Sequence, residues 1–194
     1  MQIQQPELQT ELVSPKGEAT RQFIIETLQT ILLAIVLYFL IDTFIARVRV
    51  EKVSMYPTLQ PGQFILVNKF AYRIGEMEHG DILIFHFPDN PEEDYIKRLI
   101  GLPGDYVEIH HGLVFINGEQ LVEPYQGSPP NDIGDWTVPQ DSIFVLGDNR
   151  RESSDSRAWG FVPTQNIVGK AIFRYWPFDE IKILSQSKIS AVAK

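Results

Sequence analysis

No cysteine occurs anywhere in the 194 residues. Disulfides and thiolate metal sites are therefore excluded, while the redox compartment stays open, because a cysteine-free chain suits either kind. Histidine is scarce as well: His79, His86, His110 and His111 are the whole complement. All four fall in or beside predicted turns and strand ends, without the apolar frame that orients a catalytic imidazole. They also lack the spacing of a helical zinc site, so no metal is expected. Positive charge is in short supply: 17 Lys and Arg against 25 Asp and Glu give a net charge of -8, which leaves no basic footprint for nucleic acid. Neither a solenoid-period repeat nor a sustained low-complexity tract is present. What remains is a chain with 44% hydrophobic residues, enough to bury a core in one ordinary domain plus an anchor.

The longest apolar run, Ile31 to Ile41, extends to a 24–45 window whose polar members lie near its two ends. As a helix that window spans about 33 Å, a bilayer's thickness. A buried core helix is the alternative, but the rest of the chain reads as strands that offer no helical layer to receive it. The preceding residues carry Glu7, Glu11 and Glu18 instead of a basic n-region, and no small-x-small site follows the run at Thr43-Phe44-Ile45, so an uncleaved anchor is expected. Lys16 and Arg21 on one side face Arg47, Arg49 and Lys52 on the other, so charge assigns no orientation. The expected organisation is a flexible N-terminal tail over 1–23, a transmembrane anchor over 24–45 and a β-rich catalytic domain over 46–194.

Beyond the anchor, short apolar runs alternate with glycine and proline: residues 64–67, 82–85, 107–109, 113–116, 143–146 and 167–175. His111-Gly112 and Asn117-Gly118 separate runs at tight-turn spacing, the mark of consecutive hairpins. A mainly β, antiparallel, barrel-like domain is predicted. The stretch Glu123 to Gln140 holds Pro124, Pro129, Pro130 and Pro139, which suits a surface excursion better than a central strand.

Two places carry chemistry. Ser54 lies soon after the apolar run, and Lys97 interrupts an apolar strand between Ile96 and Leu99-Ile100. A serine hydroxyl needs a base within hydrogen-bond reach, and a lysine stripped of water can serve. Moving its pKa from about 10.4 to near 7 requires about 4 kcal/mol, within what burial supplies. Strand alternation turns Tyr95, Lys97 and Leu99 to one face, yet from periodicity alone a surface lysine snorkelling from an edge strand is the simpler reading.

Three segments taken together change that reading: Ser54-Met-Tyr-Pro-Thr-Leu59, Tyr95-Ile-Lys-Arg-Leu-Ile-Gly-Leu-Pro-Gly-Asp105, and Gly147-Asp-Asn-Arg-Arg-Glu-Ser-Ser-Asp-Ser-Arg-Ala-Trp-Gly160. In order, they closely resemble the signature boxes of bacterial type I signal peptidases, and the compact form is similar to cyanobacterial and plastid members. The resemblance runs from the anchor to about Pro177. It implies a membrane-bound serine endopeptidase that removes signal peptides from exported preproteins, with membrane lipid as its setting and no cofactor. Ser54 would be the nucleophile and Lys97 the general base, with Ser153 bonded to the lysine amine. Tyr95 and Ile96, with Val50 before the serine, would line shallow substrate pockets that admit small side chains at the first and third positions before the cut. Asp148, Asp155 and Arg157 would brace the loop that bears Ser153. The domain would face the trans side of a plasma or thylakoid membrane.

Departures from the family pattern occur at Lys52, two residues before the serine, where a hydroxyl that could complete the oxyanion hole is missing. Strand alternation would also place Lys52 beside Ser54 as a rival base. Arg151-Glu152 and Ala158 replace commoner residues and touch fine geometry, not reaction type. An EF-hand over Asp148 to Asp155 is ruled out by its glycine and ligand spacing. A repressor-type self-cleaving protease would need a DNA-binding segment that the N-terminal residues do not supply, and a tethered binding domain would leave Ser54 and Lys97 inert.

Overall fold

Pro15 opens the first element, where a missing N–H costs nothing and a fixed φ favours helix. In this computed structural model, which describes residues 15–184, α1 runs over Pro15–Phe44. The chain divides into two units after Asp42. Within α1, residues 17–44 have a mean hydropathy of 2.3 in their most apolar window and no part of that window is buried in protein, so the helix is long and apolar enough to cross a membrane. Thr27 and Thr30 return their hydroxyls to the carbonyls of Phe23 and Glu26, satisfying polar groups inside the apolar stretch. Of the expected tail, residues 1–14 lie outside the described residues, while those from Pro15 onward are helical. Polarity limits where a helix can enter lipid, not where it can start, so the helix outruns the predicted window at its N-terminal end. At the other end Ile45 leaves the helix and begins a strand.

Among the described residues, the second unit holds twelve strands. In chain order they are β1 (Ile45–Arg49), β2 (Phe64–Asn68), β3 (Ile82–Phe87), β4 (Asn90–Gly101), β5 (Tyr106–His110), β6 (Leu113–Ile116), β7 (Glu119–Gln120), β8 (Gly134–Thr137), β9 (Ser142–Leu146), β10 (Val162–Pro163), β11 (Ile167–Trp176) and β12 (Lys182–Ile183). Two short helices, α2 (Ala71–Ile74) and α3 (Ser156–Trp159), interrupt them. Eight strands form one antiparallel sheet in the order β1-β2-β11-β3-β4-β9-β10, with β12 on β11, and four form a second, β7-β6-β5-β8. The antiparallel, mainly β class expected from the apolar runs is the class observed.

His111, Gly112, Asn117 and Gly118 all have positive φ, the conformation that a two-residue hairpin turn requires, and they join β5 to β6 and β6 to β7. The proline-rich stretch differs from expectation. It contains β8, which pairs with β5 at the edge of the smaller sheet, and it buries Tyr125 and Val138. The four prolines flank that strand and none lies within it, so no ladder N–H is lost.

Strand β9, residues 82–85 of β3 and residues 97–101 of β4 are buried on both faces. Ile82 and Ile84 of β3 pack with Val50, Met55 and Ile65, whereas Leu83 and Phe85 pack with Leu99, Ile143 and Val145. A charged side chain on such a strand has no water to face and must be paired or neutralised. Lys97 and Arg98 sit side by side on β4, 3% and 1% exposed.

Candidate active site

Val53–Met55 form a single 3-10 turn, not a strand, and this turn carries Ser54. The expectation that strand alternation sets Lys52 beside Ser54 fails for that reason: Lys52 lies at the turn's entrance with extended dihedrals. The C-terminal part of β4 brings Lys97 to the same place, with its Nζ 2.7 Å from Ser54 Oγ. Burial lowers the lysine pKa from its ordinary 10.5 to about 8; Asp155 and Asp148 pull it upward, while Lys52 and Arg157 push it down. As a neutral amine it can accept the serine proton across that distance.

Lys52 has a ring and a carboxylate as neighbours. Its Nζ lies 4.4 Å over the Tyr95 ring and 3.9 Å from Glu93 Oε2, in a side chain that is 66% exposed. Lys97 Nζ stands 5.4 Å from the centre of the same ring. Both amines thus approach the Tyr95 ring, one from an exposed side chain and one from a buried side chain.

A cleft of about 490 Å³ opens beside the pair, walled by Val48 to Lys52 on one side and Glu92 to Lys97 on the other. Strand β9 pairs with β4 only from Arg98 onward, so residues 94–97 have β3 on one side and, among the described residues, no strand on the other. Val50, Tyr95 and Ile96 all line this cleft, together with Met55. Val50 offers it a side chain only, because its N–H donates to Gln63 O and its carbonyl accepts from Gly62 N.

The loop after β9 holds the turn from behind. Asn149 N donates to Ser54 O at 3.0 Å, and Gly127 N donates to Asp148 O at 3.0 Å. Asp148 accepts from Arg98 Nε and Nη2 at 2.7 and 2.6 Å and from Thr58 Oγ1 at 2.5 Å, all buried or nearly so. Asp155 accepts from Gly147 N and from Arg157 Nε, and Arg157 Nη2 also donates to Arg150 O. Arg150 forms a further bidentate pair with Glu123. Asn149, Thr58, Arg98 and the Arg150–Glu123 pair were not singled out from sequence. For Arg98 a signal existed: alternation sends it to the face opposite Lys97 in a strand buried on both sides, where a guanidinium demands a carboxylate.

Ser153 departs from expectation. Its hydroxyl is buried and has no hydrogen-bond partner among the described residues, so the predicted bond to the lysine amine is not made. It packs instead over Gly147, where a Cβ would lie 2.2 Å from Ser153 Oγ and 2.5 Å from the Ser54 carbonyl oxygen. A backbone carbonyl cannot step aside as a side chain can. Gly147→Ala is therefore expected to displace the nucleophile turn, costing about 1–3 kcal/mol of stability and most of the activity, as urea unfolding and a cleavage assay would register.

The four histidines lie elsewhere. His79 pairs with Asp105 and His86 with Asp94, His110 stacks on Phe115, and His111 occupies its turn. Among the described residues no three His, Asp or Glu side chains gather as a metal site requires.

A family profile for signal peptidase, peptidase S26, matches residues 24–176. The chain belongs to that family. A signal peptidase I from Leptolyngbya laminosa is 42% identical over 187 residues, covering 92% of this chain and 91% of its own, so the likeness takes in the anchor as well as the β unit. One from Bacillus caldolyticus is 44% identical over 146 residues, 68% of this chain and 79% of its own. The solved structure of a signal peptidase I from Enterococcus faecalis V583 is 36% identical and covers 50% of this chain and 97% of its own, with a TM-score of 0.45. The departures in this signal peptidase sit outside the Ser54–Lys97 contact: Lys52, Arg151, Glu152 and Ala158 are all exposed.

Proposed function

We propose that the chain is a membrane-anchored endopeptidase that cleaves N-terminal signal peptides from preproteins after small-x-small sites, with Ser54 as nucleophile and Lys97 as general base. The observation that carries this reading is a buried amine, its pKa lowered to about 8, lying 2.7 Å from a serine hydroxyl. Neutral Lys97 takes the Ser54 proton as Oγ attacks the scissile carbonyl, then passes it to the departing amine, which leaves an acyl-enzyme. Water, deprotonated by the same amine, hydrolyses the ester and restores both groups. The Ser54 N–H is the proposed donor to the tetrahedral oxyanion, with no hydroxyl at Lys52 to assist.

An extended preprotein segment can add to the open side of β4 at residues 94–97 as a further strand, its alternate side chains directed toward the cleft floor. Val50 and Met55 are buried there and Ile96 is partly buried, which supports shallow pockets that exclude large side chains. The anchor keeps the enzyme on the surface where a signal peptide's apolar segment lies, raising encounter frequency. The β unit is proposed to stand on the trans side, in a plasma or thylakoid membrane.

The pH profile of preprotein cleavage tests the base. The active form is neutral Lys97, so the rate should rise about tenfold per pH unit below pH 8 and level off above it. A profile flat between pH 6 and 9 would refute the assignment.

A further inference from the structure

Lys52 departs from the family pattern, and the proposed reaction gives it no part. It lines the cleft of about 490 Å³ and also a neighbouring one of about 420 Å³ that reaches Glu152 and Ser154 in the loop after β9. Ser54, Tyr95 and Lys97 line both clefts as well. A cation shared by the two spaces that meet at the dyad acts on the charge of the base.

Three observations define what that charge can do. First, distance: Lys52 Nζ lies 4.4 Å and Lys97 Nζ 5.4 Å from the centre of the Tyr95 ring, so the two nitrogens stand closer than a Debye length, about 10 Å at 0.1 M salt. Second, hold: a long exposed side chain samples many rotamers, but this ammonium rests on an aromatic face and beside Glu93 Oε2 at 3.9 Å. The ring is itself fixed, stacked on Phe87 at 4.5 Å with an interplanar angle of 6°. Third, balance: burial does most to lower the Lys97 pKa, Asp155 and Asp148 pull it up, and Lys52 and Arg157 push it down. Asp155 is paired with Arg157 and Asp148 with Arg98, so those charges largely offset one another within their own pairs. The other charged groups lining the two clefts are Arg49, Glu51, Glu92, Glu93, Asp94 and Glu152, all exposed. Their five carboxylates favour a protonated base, and Lys52 stands against them.

We infer that Lys52 is a positioning residue for the catalytic base: its ammonium, held over Tyr95, disfavours a second positive charge on Lys97 and so keeps that amine neutral near pH 7. The same repulsion hastens release of the proton that Lys97 takes from Ser54 Oγ and passes to the departing amine. The inference rests on Lys97 being the base. It gives a departure from the family pattern a part in the rate at neutral pH.

The pH dependence of kcat/KM for preprotein cleavage by the full chain in detergent, at about 0.1 M salt, tests it. Lys52→Met should move the acidic limb up by about half a pH unit, a rate about threefold lower at pH 7, and leave the plateau above about pH 9 within about twofold. Lys52→Glu, which reverses the charge, should move the limb by about one unit and cost about tenfold at pH 7. Lys52→Arg keeps the charge and the ring contact and should retain the parent's limb. In about 1 M salt, where the Debye length falls to about 3 Å, the gap between parent and Lys52→Met should narrow by more than half. The midpoint of a limb does not depend on how much of a variant is folded, and a merely structural role would lower the rate equally at every pH. A limb that stays in place in both Lys52→Met and Lys52→Glu would overturn the inference and leave the base assignment standing. A plateau about a hundredfold lower in Lys52→Met would give Lys52 a direct part in the chemistry and overturn it as well. A parent profile without an acidic limb would remove the base assignment itself, and this inference with it.

Discussion

Ser54→Ala and Lys97→Ala, made separately, are each expected to lower preprotein cleavage by at least about a thousandfold. The two groups act as one unit, so the double variant should be no worse than either single one. Lys97→Met separates chemistry from folding. A lysine whose folded pKa is about 8 against an ordinary 10.5 is destabilising at neutral pH, because the unfolded chain binds its proton more tightly. That penalty is full below pH 8, fades between pH 8 and 10.5, and amounts to about 3 kcal/mol. Lys97→Met should therefore be inactive yet more stable than the parent at pH 7 in urea unfolding. Cleavage retained by Lys97→Ala and abolished by further replacement of Lys52 would transfer the base to Lys52 and sink the pairing. The placement of Lys52 over Tyr95 and beside Glu93 argues against that outcome.

The largest loss of stability is expected at the neighbouring residue. Asp148→Ala leaves the Arg98 guanidinium, 1% exposed, with the Gly80 carbonyl at 2.7 Å as its one close acceptor apart from the marginal Thr58 hydroxyl. Breaking one side of a buried pair costs about 3–5 kcal/mol, whereas replacing both partners with apolar residues costs far less. Asp148→Ala should thus lower the urea midpoint sharply, and Arg98→Met combined with Asp148→Leu should restore much of it. Activity should not return with stability in that double variant. Arg98 follows Lys97 on β4, Asp148 precedes Asn149, and Thr58 follows Ser54 by four residues, so the ion pair ties together the three segments that meet at the hydroxyl. A double variant both stable and fully active would show that the pair serves folding alone.

Much of the architecture could be read from the chain. The apolar window, the hairpins at His111-Gly112 and Asn117-Gly118, and the six apolar runs rest on local periodicity and on turn residues with positive φ, and those forces act over a few neighbours. Elements that depend on distant partners were harder to see. Strand β1 was absorbed into the anchor window in part, β8 was hidden among prolines, and the start of β4 at Asn90 lies among charged residues that periodicity does not mark.

The candidate site divides along the same line. Residue order alone supplied a serine after an apolar helix, a lysine inside an apolar strand and an acidic loop further on, which was enough to recognise the family. Whether the lysine is charged was open until folding placed residues of other elements around it, since dehydration of an amine comes from neighbours far off in the chain. The same holds for Ser153, whose hydroxyl rests over Gly147 without a partner among the described residues, and for Val50, whose backbone is bonded to Gly62 and Gln63. Local pattern sets which face a side chain takes; the dielectric it meets and the partner it finds are collective properties of the packed strands.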